Sequence, residues 1–281
     1  MRITCPMPSL IGTIAFTRQK ASAIATKALA DVGDTSEAQV RDAILSEMAK
    51  YTELYPNGWY DPPPGGVAVL FADTPFERLQ FDSLRDPKFF PSTTSVFGRE
   101  SVGMFYLSPI DRATGMIGDI GCSMYRGDDP KIRDHIRVCH DGVHAVCENA
   151  EVGMRFCDQY TFAMDLFHKN GKKVGWMTTT HDPLKVNLGH TIPGLLGDEL
   201  PQNSFESLKE AICSRRVYTN AEEQFQIPPT CAFTLEARLT DLEEKLPNIF
   251  FHFTVTFSEG EKHILGDFDD IFRVVGMDYM L

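Results

Sequence analysis

Apolar residues recur at helical spacing near the start of the chain. Ala21, Ile24, Ala25, Ala28, Leu29 and Val32 fall on one stripe, and Gly33 stops it, which predicts a helix over residues 17–32. Asp34-Thr35-Ser36-Glu37 then offers N-cap residues, and Val40, Ile44 and Met48 carry the stripe of a second helix. From Tyr55 to Pro91 the pattern changes to Pro, Gly and Asp around Pro62-Pro63-Pro64-Gly65-Gly66. Inside it Val67-Ala68-Val69-Leu70-Phe71 is a continuous apolar run, the signature of a buried strand, and the rest reads as long loop. Residues 114–128 read as a hairpin, punctuated by Gly121 and Gly127 and ended by Asp128-Asp129-Pro130. A helix from Pro130 places Ile132, Ile136, Cys139, Val143 and Val146 on one face, and another from Asp158 to Phe167 closes at Asn170-Gly171. An irregular stretch over residues 172–204 holds Asn187-Leu188-Gly189-His190-Thr191-Ile192-Pro193. A short helix over Phe205–Ile212, strands over Cys231–Leu239 and Ile249–Phe257, and a helix over Asp269–Val275 follow. This order of runs fits an α+β domain with helices backing an antiparallel sheet.

Strand parity singles out polar positions. Phe233 and Leu235 point one way, and Thr234, Glu236 and Arg238 the other. In the next strand Phe251, Phe253, Val255 and Phe257 form an apolar face, opposite Phe250, His252, Thr254 and Thr256. If the polar faces coincide, Glu236 and His252 lie within reach of one another, and such groups next to apolar strands are costly unless paired or metal-bound. An exposed outer face is the plain alternative. Asp119 shares a face with Gly121 and Ser123, and a hairpin turn leaves open whether Asp128 or Asp129 joins it. His190, in the irregular segment, gains value only by converging with Asp119, Glu236 and His252.

Composition narrows the class. The chain has 281 residues, of which 43% are apolar and 23% charged, a globular balance. Its net charge of −12 is the wrong sign for a phosphate-backbone partner, so nucleic acid is excluded and a small molecule or short peptide is left. No apolar run is long enough for a membrane span, and Arg2, Pro6 and Pro8 break the layout of a signal peptide. Seven cysteines without a C-x-x-C pair read as reduced thiols in a cytoplasmic protein. His140-Asp141-Gly142-Val143-His144 has a zinc-like i, i+4 spacing, but Gly142 weakens the helix and both rings flank the apolar stripe. There is no P-loop, dinucleotide fingerprint or G-x-S-x-G elbow.

Asp119-Ile120-Gly121, Gly189-His190-Thr191-Ile192-Pro193, Phe233-Thr234-Leu235-Glu236 and the strand and turn from Thr254 to Gly260 stand in a familiar order. That order resembles the pita-bread metallopeptidase family, which includes methionine aminopeptidase, prolidase, aminopeptidase P and creatinase. Val152-Gly153-Met154 before Phe156-Cys157-Asp158 resembles the family's turn-then-helix segment. The resemblance spans roughly residues 17–275. It implies a pita-bread fold, a curved antiparallel sheet backed by helices, as one domain over residues 1–281 with a Pro/Gly-rich loop region at about 55–100. A homodimer is a further family-level expectation.

The family's peptidases hold two divalent metals with two Asp, one His and two Glu. By resemblance Asp119 matches the first Asp, His190 the His and Glu236 the first Glu. The family spaces its Asp pair by about eleven residues, so Asp128 matches the second on a shortened hairpin, ahead of Asp129. His252 replaces the last Glu. An imidazole serves one metal with one nitrogen, so the expected cofactor is a single divalent ion, Fe or Mn, held by Asp119, Asp128, His190, Glu236 and His252. Glu236 and His190 become the expected catalytic pair. Arg238 and His181 become the expected substrate-binding residues, with Arg215 and Arg216 as further carboxylate binders. The implied reaction is C–N hydrolysis or a lyase step on a small amino-acid-like or peptide-like substrate. Three alternatives stand beside it: an oxidative non-haem iron enzyme, a non-catalytic binding module, and a metal-free creatinase-like mechanism with His190 as general base.

Overall fold

The N-terminal stripe extends further than its predicted start. Helix α1 runs Pro8–Leu29 and buries Ile11 and Ile14 as well as Ala21, Ile24, Ala25 and Leu29. Pro8 sits in its first turn, where a missing N–H costs no helical bond. The computed structural model describes residues 5–175, 182–194 and 204–281. Helix α2, Glu37–Met48, opens with a reciprocal capping box: Ser36 Oγ accepts from Gln39 N, and Gln39 Oε1 accepts from Ser36 N at 2.9 Å.

The long loop region supplies the predicted strand β1, Val67–Ala72, buried along its length. Glu37 fastens this region to α2. Its fully buried carboxylate accepts from Phe71 N and Ser92 N, both at 2.7 Å, and from the Arg78 guanidinium.

The hairpin differs from the expectation. Its first strand is β2, Val102–Leu107, and only its second, β3, Ile120–Met124, falls within residues 114–128. Val102-Gly103-Met104-Phe105-Tyr106-Leu107 shows no alternation because it is buried on both faces, between β1 and β3. The other elements are helices α3 (Pro130–Asn149), α4 (Phe156–Lys169), α5 (Phe205–Arg215) and α6 (Asp269–Val275), and strands β4 (Lys172–Val174), β5 (Cys231–Leu235), β6 (Arg238–Asp241), β7 (Ile249–Phe250), β8 (Phe253–Ser258) and β9 (Glu261–Leu265).

Three antiparallel sheets result, ordered β1-β2-β3, β4-β6-β7 and β5-β8-β9. Each of the two long strands expected near the C-terminus is in fact two strands in different sheets. The first breaks at Glu236-Ala237 and the second at Phe251-His252, so the chain leaves one sheet for another at the same level. Isolated bridges form there: Cys122 of β3 pairs with Phe251, between β7 and β8, and Thr191 of the irregular segment pairs with Phe233 of β5. Helix α1 packs on α2 and α6, and α3 packs on α4. One buried apolar cluster runs through all three sheets, and a smaller one gathers Ile11, Ile14, Trp59, Ile117 and Ile192 near the start of α1.

Candidate active site

The two strand breaks and the start of β3 bring four of the expected residues together. Asp119 immediately precedes β3, Glu236 follows β5, and His252 lies between β7 and β8. His190 comes from the irregular segment, which docks on β5: Thr234 N donates to His190 O at 2.8 Å, and His190 N donates to Thr234 Oγ1 at 3.0 Å. Gly189 permits this approach. It has φ +141°, and a Cβ there would sit 2.2 Å from the Thr234 carbonyl oxygen.

Asp119 is enclosed by donors. Trp59 Nε1 donates to Oδ1 at 2.8 Å and to Oδ2 at 2.9 Å, and the Tyr106 hydroxyl donates to Oδ2 at 2.9 Å. Burial outweighs these bonds and pushes its carboxyl up to about 7. Glu236 is also pushed up to about 7, first by burial and then by the neighbouring Asp119 charge. Its side chain is 21% exposed, against 1% for Asp119, so Glu236 is the acid that opens toward solvent. Thr234 Oγ1 donates to its Oε1 at 3.0 Å.

The histidines face this acid as opposite tautomers. Burial holds both well below the ordinary imidazole range, so both rings are neutral. His190 Nδ1 lies 3.0 Å from the Thr191 carbonyl oxygen, which can only accept, so its proton is on Nδ1. Its Nε2 lone pair lies 3.5 Å from Glu236 Oε1. His252 Nδ1 lies 3.3 Å from Arg18 Nη1, which can only donate, so the proton of this ring is on Nε2. That Nε2–H has no hydrogen-bond partner among the described residues and faces Asp119 Oδ2 and Glu236 Oε2, each 3.8 Å away.

Arg18 sets this arrangement from beneath. It sits fully buried in the α1 stripe and donates to the carbonyls of Asp119, His252 and Gly266, while its Nε lies 3.3 Å from Asp267 Oδ2. Above the cluster is a cavity of about 100 Å³ lined in part by Trp59, Tyr60, Tyr106, His190, Glu236 and Phe250. Arg216 and Arg238 also line it. The Arg216 guanidinium lies 3.5 Å over the Trp59 ring, and its buried Nε has no hydrogen-bond partner among the described residues. Arg238 stacks on Phe81 at 4.3 Å and donates to the Phe81 carbonyl.

Other expectations need correction. Asp128 does not join the cluster: its side chain is 63% exposed and paired with Arg99 and Arg133 ahead of α3. Asp129 is the N-cap of α3, accepting from Lys131 N at 2.8 Å. Because Asp119 opens the second strand of its hairpin, the position eleven residues away lies behind it, at Ser108. The Ser108 hydroxyl is occupied by Tyr60 N and the Gly66 carbonyl. Arg238 lies on a different sheet from the strand leading to Glu236, although it still reaches the cavity. His181 falls outside the described residues. His140 packs against Phe251 and Phe253, as a ring flanking the apolar stripe.

The donor set departs from the one expected for a divalent metal. A histidine ligand offers a lone pair, but His252 turns an N–H toward the carboxylates. Asp119 already accepts from Trp59 and Tyr106, and Asp128, matched to the second aspartate, lies on the surface away from the cluster. Among the described residues no three His, Cys, Asp or Glu side chains are disposed to hold one ion.

Tyr106 and Arg18 were not identified from the sequence as partners of the cluster. Arg18 left a signal, since it falls on the helical stripe between Ile14 and Ala21.

No protein-family model matches the chain, and no curated protein matches it in sequence. Solved structures do match. Prolidase from Pyrococcus furiosus aligns over 94% of this chain and 65% of its own, with TM-score 0.65 and 13% identity. X-Pro aminopeptidase from Thermotoga maritima aligns over 93% and 62%, with TM-score 0.63 and 13% identity. Methionine aminopeptidase from Thermotoga maritima aligns over 90% and 96%, with TM-score 0.60 and 12% identity. The chain thus spans less than two thirds of the first two and nearly all of the third. The shared architecture is the expected one: the chain has the α+β pita-bread fold.

Proposed function

We propose that this chain is an enzyme that hydrolyses a C–N bond in a small amino-acid-like or peptide-like substrate, using its own acid–base groups. The observation that carries the reading is the opposed pair of imidazoles around Glu236, one presenting a lone pair and the other an N–H. In this scheme His190 Nε2 takes a proton from the attacking water. Glu236, held near neutrality in its ionisation, gives a proton to the departing nitrogen. Asp119 stays anchored by Trp59 and Tyr106, and its charge raises the proton affinity of Glu236. His252 turns its Nε2–H toward the two carboxyl groups, 3.8 Å from each. Arg216, stacked over Trp59 without an ion-pair partner among the described residues, supplies positive charge for a substrate carboxylate, with Arg238 beside it. The metallopeptidase-like neighbours support peptide-like chemistry through their shared fold.

The test is a screen of dipeptides and N-substituted amino acids with protein dialysed against a chelator. Turnover that survives dialysis and falls by at least about 100-fold in both His190→Gln and Glu236→Gln supports the reading. Turnover that vanishes on dialysis and returns with iron or manganese overturns it.

A second reading keeps one divalent Fe or Mn ion on Asp119, His190, Glu236 and His252. The nitrogen–oxygen separations of 3.5–3.8 Å favour it, being longer than a hydrogen bond and near the roughly 3.4 Å span of two ligands on one tetrahedral ion. It requires His252 to place an Nδ1–H against the Arg18 guanidinium, two donors face to face.

A further inference from the structure

Two cysteines far apart in sequence meet beside the elements that hold the site. Cys5 lies just ahead of α1, and Cys231 is the first residue of β5. Their sulfurs are 3.3 Å apart, with the Cys5 S–H donating to Cys231 Sγ. Closing this contact to a disulfide needs the sulfurs to approach by only about 1.3 Å, within reach of a side-chain rotation. The two thiols differ in access: Cys231 is fully buried, whereas Cys5 is half-buried and reachable from solvent.

We propose that Cys5 and Cys231 form a reversible intramolecular disulfide when the chain meets a disulfide oxidant. The Cys5 thiolate attacks one sulfur of oxidised glutathione, forming a mixed disulfide and releasing one glutathione thiolate. Cys231 then attacks the Cys5 sulfur. The Cys5–Cys231 bond forms, the mixed disulfide breaks, and the Cys231 proton leaves with the second glutathione. Two protein thiols and one glutathione disulfide become one protein disulfide and two glutathione thiols.

The bond would tie together the two elements that organise the acid–base cluster. Helix α1 carries Arg18, which holds the Asp119 and His252 carbonyls. Strand β5 leads directly into Glu236 and hydrogen-bonds to His190 through Thr234. Buried Cys122, Cys139 and Cys147 pack in the core, whereas Cys231, also buried, has the Cys5 sulfur 3.3 Å away.

The experiment incubates the full chain with oxidised glutathione, blocks remaining thiols, and maps peptides by mass spectrometry. The expected result is a Cys5–Cys231 linked peptide that dithiothreitol abolishes. With it should come a rise in Tm of about 5 °C or more, because the bond closes most of the chain into a loop. Cys5→Ser should show neither the linked peptide nor the rise. A stable glutathione adduct on Cys5 with Cys231 still a thiol would overturn the proposal. So would a link from Cys5 to any other cysteine. The wild-type map decides between these outcomes even if a variant folds poorly.

Discussion

Arg18 shows how a single buried charge sets the chemistry above it. Its donors satisfy three backbone carbonyls, and its proximity fixes which nitrogen of His252 carries the proton. Arg18→Met fits the volume but leaves those carbonyls and Asp267 unpaired, so it should destabilise the fold by about 3–5 kcal/mol in denaturant titration. A loss below about 1 kcal/mol would mean that water or a neighbour replaces the guanidinium. Sequence could place Arg18 on a buried stripe but could not distinguish it from a side chain that snorkels to solvent. Motif order implied that Asp119, His190, Glu236 and His252 converge, and the structure brings their side chains together. Asp128 was misplaced because the resemblance implies an offset for an Asp pair, not which strand of the hairpin Asp119 opens.

A second residue carries a clear pH signature away from the site. His135 Nε2–H donates to the Pro247 carbonyl at 2.9 Å, Lys172 Nζ donates to Nδ1 at 2.8 Å, and burial lowers the ring to about 4. A depressed histidine stabilises the fold fully above its unfolded value of about 6.5, and that stabilisation is lost as pH falls through about 4. The loss is on the order of 3 kcal/mol. Urea midpoints of the wild type should therefore fall more steeply than those of His135→Gln between pH 6.5 and 4. Parallel curves would show that His135 is not neutral in the fold.

At the scale of elements, chain breaks matter more than strands. Reading residues 231–239 and 249–257 as unbroken strands put Glu236 and His252 on one side, but both sit where the chain passes between sheets. There the side chains are free of ladder geometry and turn inward together. The helices were legible because their stripes have a clear period; β2 was not, because a strand buried on both faces has none. The loop region from residue 55 depends on the Glu37 anchor on α2. Glu37→Gln keeps the shape but replaces one acceptor oxygen with an amide donor facing Arg78 or a backbone N–H. It should cost about 2–4 kcal/mol and raise hydrogen exchange at Phe71 and Ser92 first. Uniform exchange across the chain would show that Glu37 does not anchor this segment.

For the molecule as a whole, the pita-bread fold delivers a buried acid–base cluster under an aromatic cavity with arginines at its wall. The fold was legible from motif order, while the departure from the two-metal pattern became specific only through three-dimensional contacts. Those contacts include Trp59 and Tyr106 on Asp119, and Arg18 on His252. Asp128, matched to the second aspartate, lies exposed and paired with Arg99 and Arg133, which points the same way. The central claim is that the two histidines present opposite neutral tautomers to Glu236. It is tested most directly by nitrogen-15 NMR of the imidazoles at neutral pH, before and after adding iron(II) or manganese(II), with zinc as a diamagnetic probe. The account predicts a neutral His190 protonated on Nδ1, a neutral His252 protonated on Nε2, and no stoichiometric change with metal. A His252 protonated on Nδ1, with Nε2 shifting at one metal per chain, would contradict it.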